Sequence, residues 1–133
     1  MTNDPECELS SSYLMEQQFT YFCGSAPECR QMSNRKALNV AKYFAERFYS
    51  VIGITERLEL TFQVLEAFLP RFFNGSSKLR EEFRKNSNGT SKKKPMTSEA
   101  REKLITKLGL DLDFYNFAYQ RLHKQAGLLN KLF

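Results

Sequence analysis

The stretch FYSVIGI at residues 48–54 constrains the fold most, because it is the one segment that we interpret as a strand. It is short, apolar and partly β-branched, which is typical of a strand that is covered on both faces in a parallel sheet. A single strand cannot form a sheet, since its backbone groups would lack partners along both edges. The sequence therefore predicts part of a larger α/β domain whose other strands lie on the N-terminal side.

Helical periodicity surrounds this predicted strand. Apolar side chains recur every three or four residues before and after it, and helix, strand and helix in this order favour an α/β protein. We expect residues 1–18 to form a loop segment and residues 19–130 to form part of a single domain. The apolar positions of the three longest predicted helices are Leu38, Ala41, Phe44 and Phe48, then Leu58, Phe62, Leu65 and Leu69, then Phe114, Ala118, Leu122 and Leu129.

Capping residues mark where these helices begin. A side-chain oxygen at the N-cap accepts a hydrogen bond from a free backbone N–H of the first turn. A shorter helix is expected over residues 77–83. The predicted N-caps are Ser33 or Asn34, Thr55, and Thr97 or Ser98.

The positive charge is concentrated in one part of the chain. Residues 76–107 hold ten Lys or Arg against four Glu, whereas the formal net charge of the whole chain is +5. Within this part, RKNSNGTSKKKP at residues 84–95 has no apolar side chain. Such a segment attracts phosphate, sulfate, nucleic acid or acidic polysaccharide. The alternative interpretation is a solvated, lysine-rich loop without a binding role. Because the loop has no aromatic side chain for base stacking, nucleic acid is the partner we favour least.

Three cysteines and two sequons bear on the cellular compartment. Cys23 and Cys29 are six positions apart with turn residues between them, a spacing compatible with a small-loop disulfide. Cys7 then requires a partner outside this chain in an oxidising compartment. A zinc site is not expected, because His123 is the one histidine. The sequons begin at Asn74 and Asn88 and would suit a secretory lumen.

Several blocks of the sequence together resemble the C-terminal part of one enzyme family. They are FTYFCGSAPECR, NRKALNVAKY, GITERLEL, LEAFLPRFFNG, the lysine-rich loop and DLDFYNFAYQRLHKQ. In this order they are similar to the uronosyl 2-O-sulfotransferases, which include the heparan sulfate, chondroitin/dermatan and Pipe-type proteins. The resemblance covers residues 19–125. It departs at Lys36, where the family tends to carry Trp, and in a loop that is shortened on its N-terminal side.

The resemblance implies a fold, an activity and a location. The fold is a P-loop-like sulfotransferase fold, of which this segment is mostly helical with one buried strand. The reaction moves sulfate from 3′-phosphoadenosine 5′-phosphosulfate (PAPS) to the 2-hydroxyl of a hexuronic acid in a glycosaminoglycan, without a metal. The family is anchored in the Golgi membrane, faces the lumen and is commonly homotrimeric. The 133 residues show neither a signal peptide nor an apolar run of membrane-spanning length, so the anchor is expected outside them.

The resemblance also implies roles for individual residues. Cys23 and Cys29 match a disulfide pair of the family, and Asn74 and Asn88 are candidate glycosylation sites. The candidate contacts to the donor are Lys92, Thr90, Lys93 and Arg80, and those to the acceptor are Arg84 and Lys85.

The catalytic parts of the family motif are not expected in this chain. The phosphate-binding loop and the catalytic histidine of the family lie upstream of the matched segment, and His123 falls in the last predicted helix. We therefore expect no catalytic residue here, and we expect the chain alone to be incomplete and inactive. A non-enzymatic glycosaminoglycan-binding fragment or a truncated isoform is the alternative interpretation.

Overall fold

The protein is described here from a computed structural model, which covers residues 18–30, 35–86 and 95–132. Over these ranges the chain is helical, and none of the helices is long and apolar enough to cross a bilayer. Short 3-10 turns cover Pro27–Arg30 and Thr55–Arg57. The helices are α1 (Gln18–Cys23), α2 (Arg35–Phe48), α3 (Leu58–Phe68), α4 (Pro70–Phe73), α5 (Ser76–Asn86), α6 (Ser98–Lys107) and α7 (Gly109–Leu132).

Helix α7 contacts α1, α2, α3 and α6, whereas α4 and α5 contact α3. Its residues Phe114, Ala118 and Leu122 are buried and recur every fourth position, so they form one face. Phe114 belongs to a first apolar cluster, and Ala118 and Leu122 belong to a second. One helix face thus joins two hydrophobic cores.

The first cluster joins α1 and α2 to the beginning of α7. Alanines at three buried positions of α2 allow its backbone to approach α1 closely, which explains why a helix with so little side-chain volume on this face can pack tightly. The buried members are Phe19, Cys23, Cys29, Ala37, Leu38, Ala41, Ala45 and Phe114.

The second cluster joins α3 to the later part of α7. Ile54 and Val64 pack there against Ala118 and Leu122. The buried side chains of α3 are Thr61 and Val64, whereas the predicted apolar stripe of this helix is half-buried. Ile52 contacts both clusters, so the segment that precedes α3 lies between the two cores.

The predicted strand at residues 48–54 is not confirmed. Phe48 is the last residue of α2 with 68% of its surface exposed, and no strand occurs in the described ranges. Ile54 is nevertheless buried and extended, with φ −118° and ψ 121°. The segment forms no ladder because none of the described residues pairs with it. The helical part of the fold prediction is confirmed, and the sheet of the α/β fold stays a prediction.

A side chain takes the place of a neighbouring strand at Ile54. The Ile54 N–H donates to the Thr61 hydroxyl at 3.0 Å, and that hydroxyl donates to the Ile54 carbonyl at 3.2 Å. This approach explains Gly53, because a Cβ there would lie 2.5 Å from Thr61 Cγ2. The backbone N–H and carbonyl of buried Ile54 are thereby satisfied without a sheet.

Of the predicted helix caps, one is confirmed and one is wrong. Thr97 caps α6, because its Oγ1 accepts from the Ala100 N–H at 3.3 Å. Thr55 was predicted to cap α3, and this prediction is wrong: its hydroxyl donates to Glu56 at 3.0 Å, and the turn of residues 55–57 has no side-chain cap. The alternative caps Ser33 and Asn34 lie outside the described residues.

Candidate functional site

The structure describes some of the predicted site residues and not others. Lys92, Thr90, Lys93 and Asn88 lie outside the described ranges. Lys85 lies in α5, as do Arg80 and Arg84. Cys23, Cys29 and Asn74 are described as well.

Arg80 and Arg84 lie one turn apart on the side of α5 that faces α3. Both line a cavity of about 490 Å³ between the two helices. Its other lining residues are polar or charged, and the full set is Glu59, Gln63, Ser77, Lys78, Arg80, Glu81 and Arg84. The structure therefore brings two of the sequence-predicted cations into one groove.

Arg84 forms a salt bridge across this groove. Its Nη1 lies 2.7 Å from Oε1 of Glu59 on α3, and the two side chains are 64% and 71% exposed. An exposed pair of this kind stabilises the fold by at most about 1 kcal/mol, so a stronger anion can displace the carboxylate. The contact between Glu59 and Arg84 was not predicted, because it depends on the packing of α3 against α5.

A second cavity adjoins the first one at the beginning of α3. It has a volume of about 480 Å³, and the two cavities share Glu59, Gln63 and Arg80. Residues 55–60 and His123 of α7 complete its lining. His123 is exposed on α7, as expected from the sequence, but its position beside Arg80 was not predicted.

Glu66 on α3 holds the first turn of α5. Its carboxylate accepts from the Gly75 N–H at 2.6 Å and from the Ser77 N–H at 3.4 Å, two backbone donors at the start of that helix. Hydrogen bonds from Ser77 and Gly75 lower the pKa of Glu66. Gly75 has φ +80°, a conformation that favours glycine at this turn. Asn74 is exposed in the same turn.

Polar side chains of α7 hold the end of α2 and the residues after it. Arg121 donates hydrogen bonds to the carbonyls of Tyr49 and Ser50, and Gln125 donates to the Ser50 carbonyl at 2.7 Å. The Arg121 side chain is only 11% exposed, and its Nε lies 4.0 Å from Glu46. We assign these residues a structural role, because a cation and amide donors satisfy carbonyls at a helix C-terminus.

Cys23 and Cys29 are joined by a disulfide, as predicted, with their Cα atoms 5.5 Å apart. The bond closes the turn between α1 and the 3-10 turn Pro27–Arg30, and both sulfurs belong to the first apolar cluster. Among the described residues no group of three or more His, Cys, Asp or Glu side chains is placed to hold a metal ion.

Comparison with known proteins identifies the relatives of this chain. It is 35% identical over 109 residues to heparan sulfate 2-O-sulfotransferase 1 of Xenopus laevis and 38% identical over 109 residues to that of Gallus gallus; each match covers 78% of this chain and 30% of the relative. Uronyl 2-sulfotransferase of Homo sapiens is 32% identical over 127 residues, which covers 92% of this chain and 30% of the relative. No family model matches the sequence.

These relatives place the chain among the sulfotransferases. Within that class, it belongs to the family of the uronosyl 2-O-sulfotransferases, because both the heparan sulfate and the uronyl members match most of its length. The chain spans about 30% of the length of these relatives. The resemblance stated from the sequence blocks is thereby confirmed.

Proposed function

We propose that this chain is the C-terminal part of a PAPS-dependent sulfotransferase that modifies the 2-hydroxyl of hexuronic acid in a glycosaminoglycan. The observation that carries the proposal is the identity of 32–38% with two kinds of uronosyl sulfotransferase along most of the chain. The groove that contains Arg84 supports it, since a polyanionic acceptor requires guanidinium donors at an accessible surface.

Arg84 binds the acceptor in this proposal. Its Nη1 pairs with the carboxylate of Glu59, and a hexuronic acid offers the same chemical group. Because a guanidinium can form paired hydrogen bonds with a carboxylate, an incoming uronate takes the place of Glu59. Lys85, the next residue along the chain, is the second proposed contact to the acceptor.

Lys92, Thr90 and Lys93 bind the donor, and Arg80 is the fourth predicted donor contact. Ammonium and hydroxyl groups donate hydrogen bonds to the phosphates of PAPS and stabilise the charge that develops on the departing nucleotide. A histidine base outside this chain removes the proton of the 2-hydroxyl. The hydroxyl oxygen then bonds to sulfur while the bond from sulfur to the phosphate oxygen breaks.

The disulfide supports a lumenal location, because such bonds persist in oxidising compartments. We propose that the protein acts in the Golgi lumen, with Asn74 and Asn88 available for glycosylation. The exposure of Asn74 is compatible with this modification. A homotrimer is the proposed assembly, by resemblance to the family.

Steady-state kinetics on a protein that carries the complete domain tests the proposal. Arg84→Ala is expected to weaken binding of the acceptor, and Lys92→Ala is expected to weaken binding of the donor. Each change should lower kcat/KM by roughly tenfold to a hundredfold, because each removes a charge-assisted contact. Arg101→Ala and Lys107→Ala, exposed positions on α6, are the matched controls. Equal, small effects at all four positions would contradict the proposal. Polysaccharide binding without PAPS binding would instead support the non-enzymatic alternative.

A further inference from the structure

The cavity at the beginning of α3 brings together basic side chains from three elements. Arg57 comes from the 3-10 turn before α3, Arg80 from α5 and His123 from α7. They are 23 and 43 positions apart in the sequence, so only the packing of these helices on one another makes them neighbours. A volume of about 480 Å³ is within the range of small-molecule sites.

The carboxylates that line this cavity already have hydrogen-bond donors. Glu56 accepts from the Thr55 hydroxyl at 3.0 Å and from the Tyr115 hydroxyl at 3.4 Å. Glu59 accepts from Arg84 at 2.7 Å. Both carboxylates thus have hydrogen-bond donors of their own, neutral hydroxyls for Glu56 and a guanidinium for Glu59.

The arginines that line the cavity have no carboxylate partner among the described residues. Neither Arg57 nor Arg80 forms a salt bridge with another residue of the described ranges. Nε of Arg80 is buried, and within the same ranges it has no hydrogen-bond partner. A buried donor without a partner is costly, so an acceptor group that enters the cavity gains by pairing with it.

Tyr119 supports two of the three basic side chains. The guanidinium carbon of Arg57 lies 5.9 Å from the centroid of its ring, and the ring of His123 lies 4.4 Å from the same centroid. Contacts with one aromatic ring restrict both side chains before a ligand arrives. Less conformational entropy is then lost on binding.

We propose that Arg57 and Arg80, with His123 beside them, form a subsite for one carboxylate or sulfate group of a sulfated polysaccharide. This rests on the proposed function, which it deepens by extending the acceptor groove. Arg80 and Arg84 are four residues apart on α5, about 6 Å along the helix axis, so successive anionic groups of one polymer contact both. In this proposal Arg80 contacts the acceptor, whereas the resemblance implies a contact to the donor.

Binding of size-defined heparan sulfate oligosaccharides to the full protein, measured by calorimetry at two salt concentrations, tests the subsite. Arg57→Gln and Arg80→Gln are each expected to bind about fivefold more weakly, with a flatter dependence on salt. Arg47→Gln on α2 and Arg101→Gln on α6, which remove the same charge from exposed positions, are expected to change the affinity less than about twofold. Affinities of the first pair equal to those of the controls would overturn the subsite.

A measurement on the wild-type protein removes any dependence on the folding of variants. Bound oligosaccharide is expected to protect Arg57 and Arg80, and not Arg47 or Arg101, from modification by phenylglyoxal. Equal modification with and without oligosaccharide would overturn the subsite. An unsulfated polymer of uronic acid and N-acetylglucosamine gives the same protection if the bound group is a carboxylate, and none if it is a sulfate. Stronger protection by a single-stranded oligonucleotide of equal charge would contradict a polysaccharide ligand.

The two proposals fail in distinguishable ways. If Arg80→Gln raises KM for PAPS and leaves oligosaccharide affinity unchanged, the subsite is wrong and the proposed function stands. If oligosaccharide affinity depends on Arg57 and Arg80 but the complete protein transfers no sulfate, the subsite stands and the proposed function is wrong.

Discussion

The carboxylate of Asp111 accepts a hydrogen bond from the backbone N–H of Phe19 at 3.1 Å, across 92 positions of the sequence. This contact joins the first turn of α7 to the first turn of α1, whose backbone donors have no partner within that helix. Burial raises the pKa of Asp111, and the hydrogen bonds from the N–H groups of Phe19 and Gln18 offset this only in part.

The raised pKa of Asp111 makes its contribution to stability depend on pH. Because the folded-state pKa lies above the unfolded value near 3.8, this contribution is present below that pH and is lost as the pH rises through the folded-state pKa. Asp111→Asn keeps an acceptor for Phe19 and should abolish this decline, whereas Asp111→Ala should cost about 1 kcal/mol. Urea unfolding of the protein between pH 3 and 7 measures both effects, and an unchanged decline in Asp111→Asn would contradict the assignment.

Glu66 should give the opposite dependence on pH. Its pKa is lowered from the usual value of 4.5, so its contribution is present above that value and is lost as the pH falls through the folded-state pKa. Glu66→Gln should therefore reduce the acid sensitivity of the protein and increase hydrogen exchange at the start of α5. Glu102→Gln, an exposed change on α6, is the control, and identical acid transitions in the two variants would refute the prediction.

Leu122 is fully buried between α3 and α7, and its truncation should be costly. Leu122→Ala is expected to lower the free energy of unfolding by about 2–5 kcal/mol, since it removes apolar contacts and leaves a cavity. Leu128→Ala, at a position on the same helix that is 48% exposed, should cost much less. Denaturant unfolding compares the two variants, and similar losses would mean that α7 does not form the centre of the core.

The disulfide between Cys23 and Cys29 should contribute measurably to stability. For a loop this short, the loss of chain entropy in the unfolded state corresponds to about 2 kcal/mol.

Cys7 lies outside the described residues, and we expect it to be bonded to neither of these cysteines. Non-reducing peptide mapping tests the pairing, and a peptide that joins Cys7 to Cys23 or Cys29 would disprove it.

Glu59 should compete with the acceptor for Arg84. Glu59→Gln removes the competing carboxylate, so the affinity for heparan sulfate oligosaccharides should rise about threefold to fivefold. The gain should disappear in an Arg84→Gln background, because a double-mutant cycle isolates the pairwise effect. Glu102→Gln makes the same charge change on α6 and controls for net charge. An equal gain from Glu102→Gln would show that Glu59 acts only through the overall field.

Periodicity predicted the helices better than it predicted the extended segment. The sequence predicts the buried positions Leu38, Ala41, Ala118 and Leu122 correctly, because they recur at helical spacing. Residues 48–54 were read as a strand because a short apolar run has no period that separates a strand from other buried segments. Pairing partners decide whether such a segment joins a sheet, and Thr61 satisfies Ile54 instead.

The candidate site could be predicted from the sequence only in part, for a related reason. The resemblance pointed to Arg80 and Arg84 because they lie beside the basic loop. Arg57 and His123 carried no local signal, since an exposed cation in a helix is usually solvated. Their proximity to Arg80 depends on contacts between distant elements.

The sequence by itself determined the helical periodicity, the cysteine pair, the basic segment and the family, because each of these is written in residue types at short spacings. Only the tertiary structure decided that Asp111 accepts a hydrogen bond from Phe19 and that Glu59 forms a salt bridge with Arg84. It also decided that Arg57, Arg80 and His123 line one cavity. Such contacts arise when α1 and α3 pack against α7 and α5 packs against α3. The position of each polar side chain is then a consequence of packing, which local patterns do not encode.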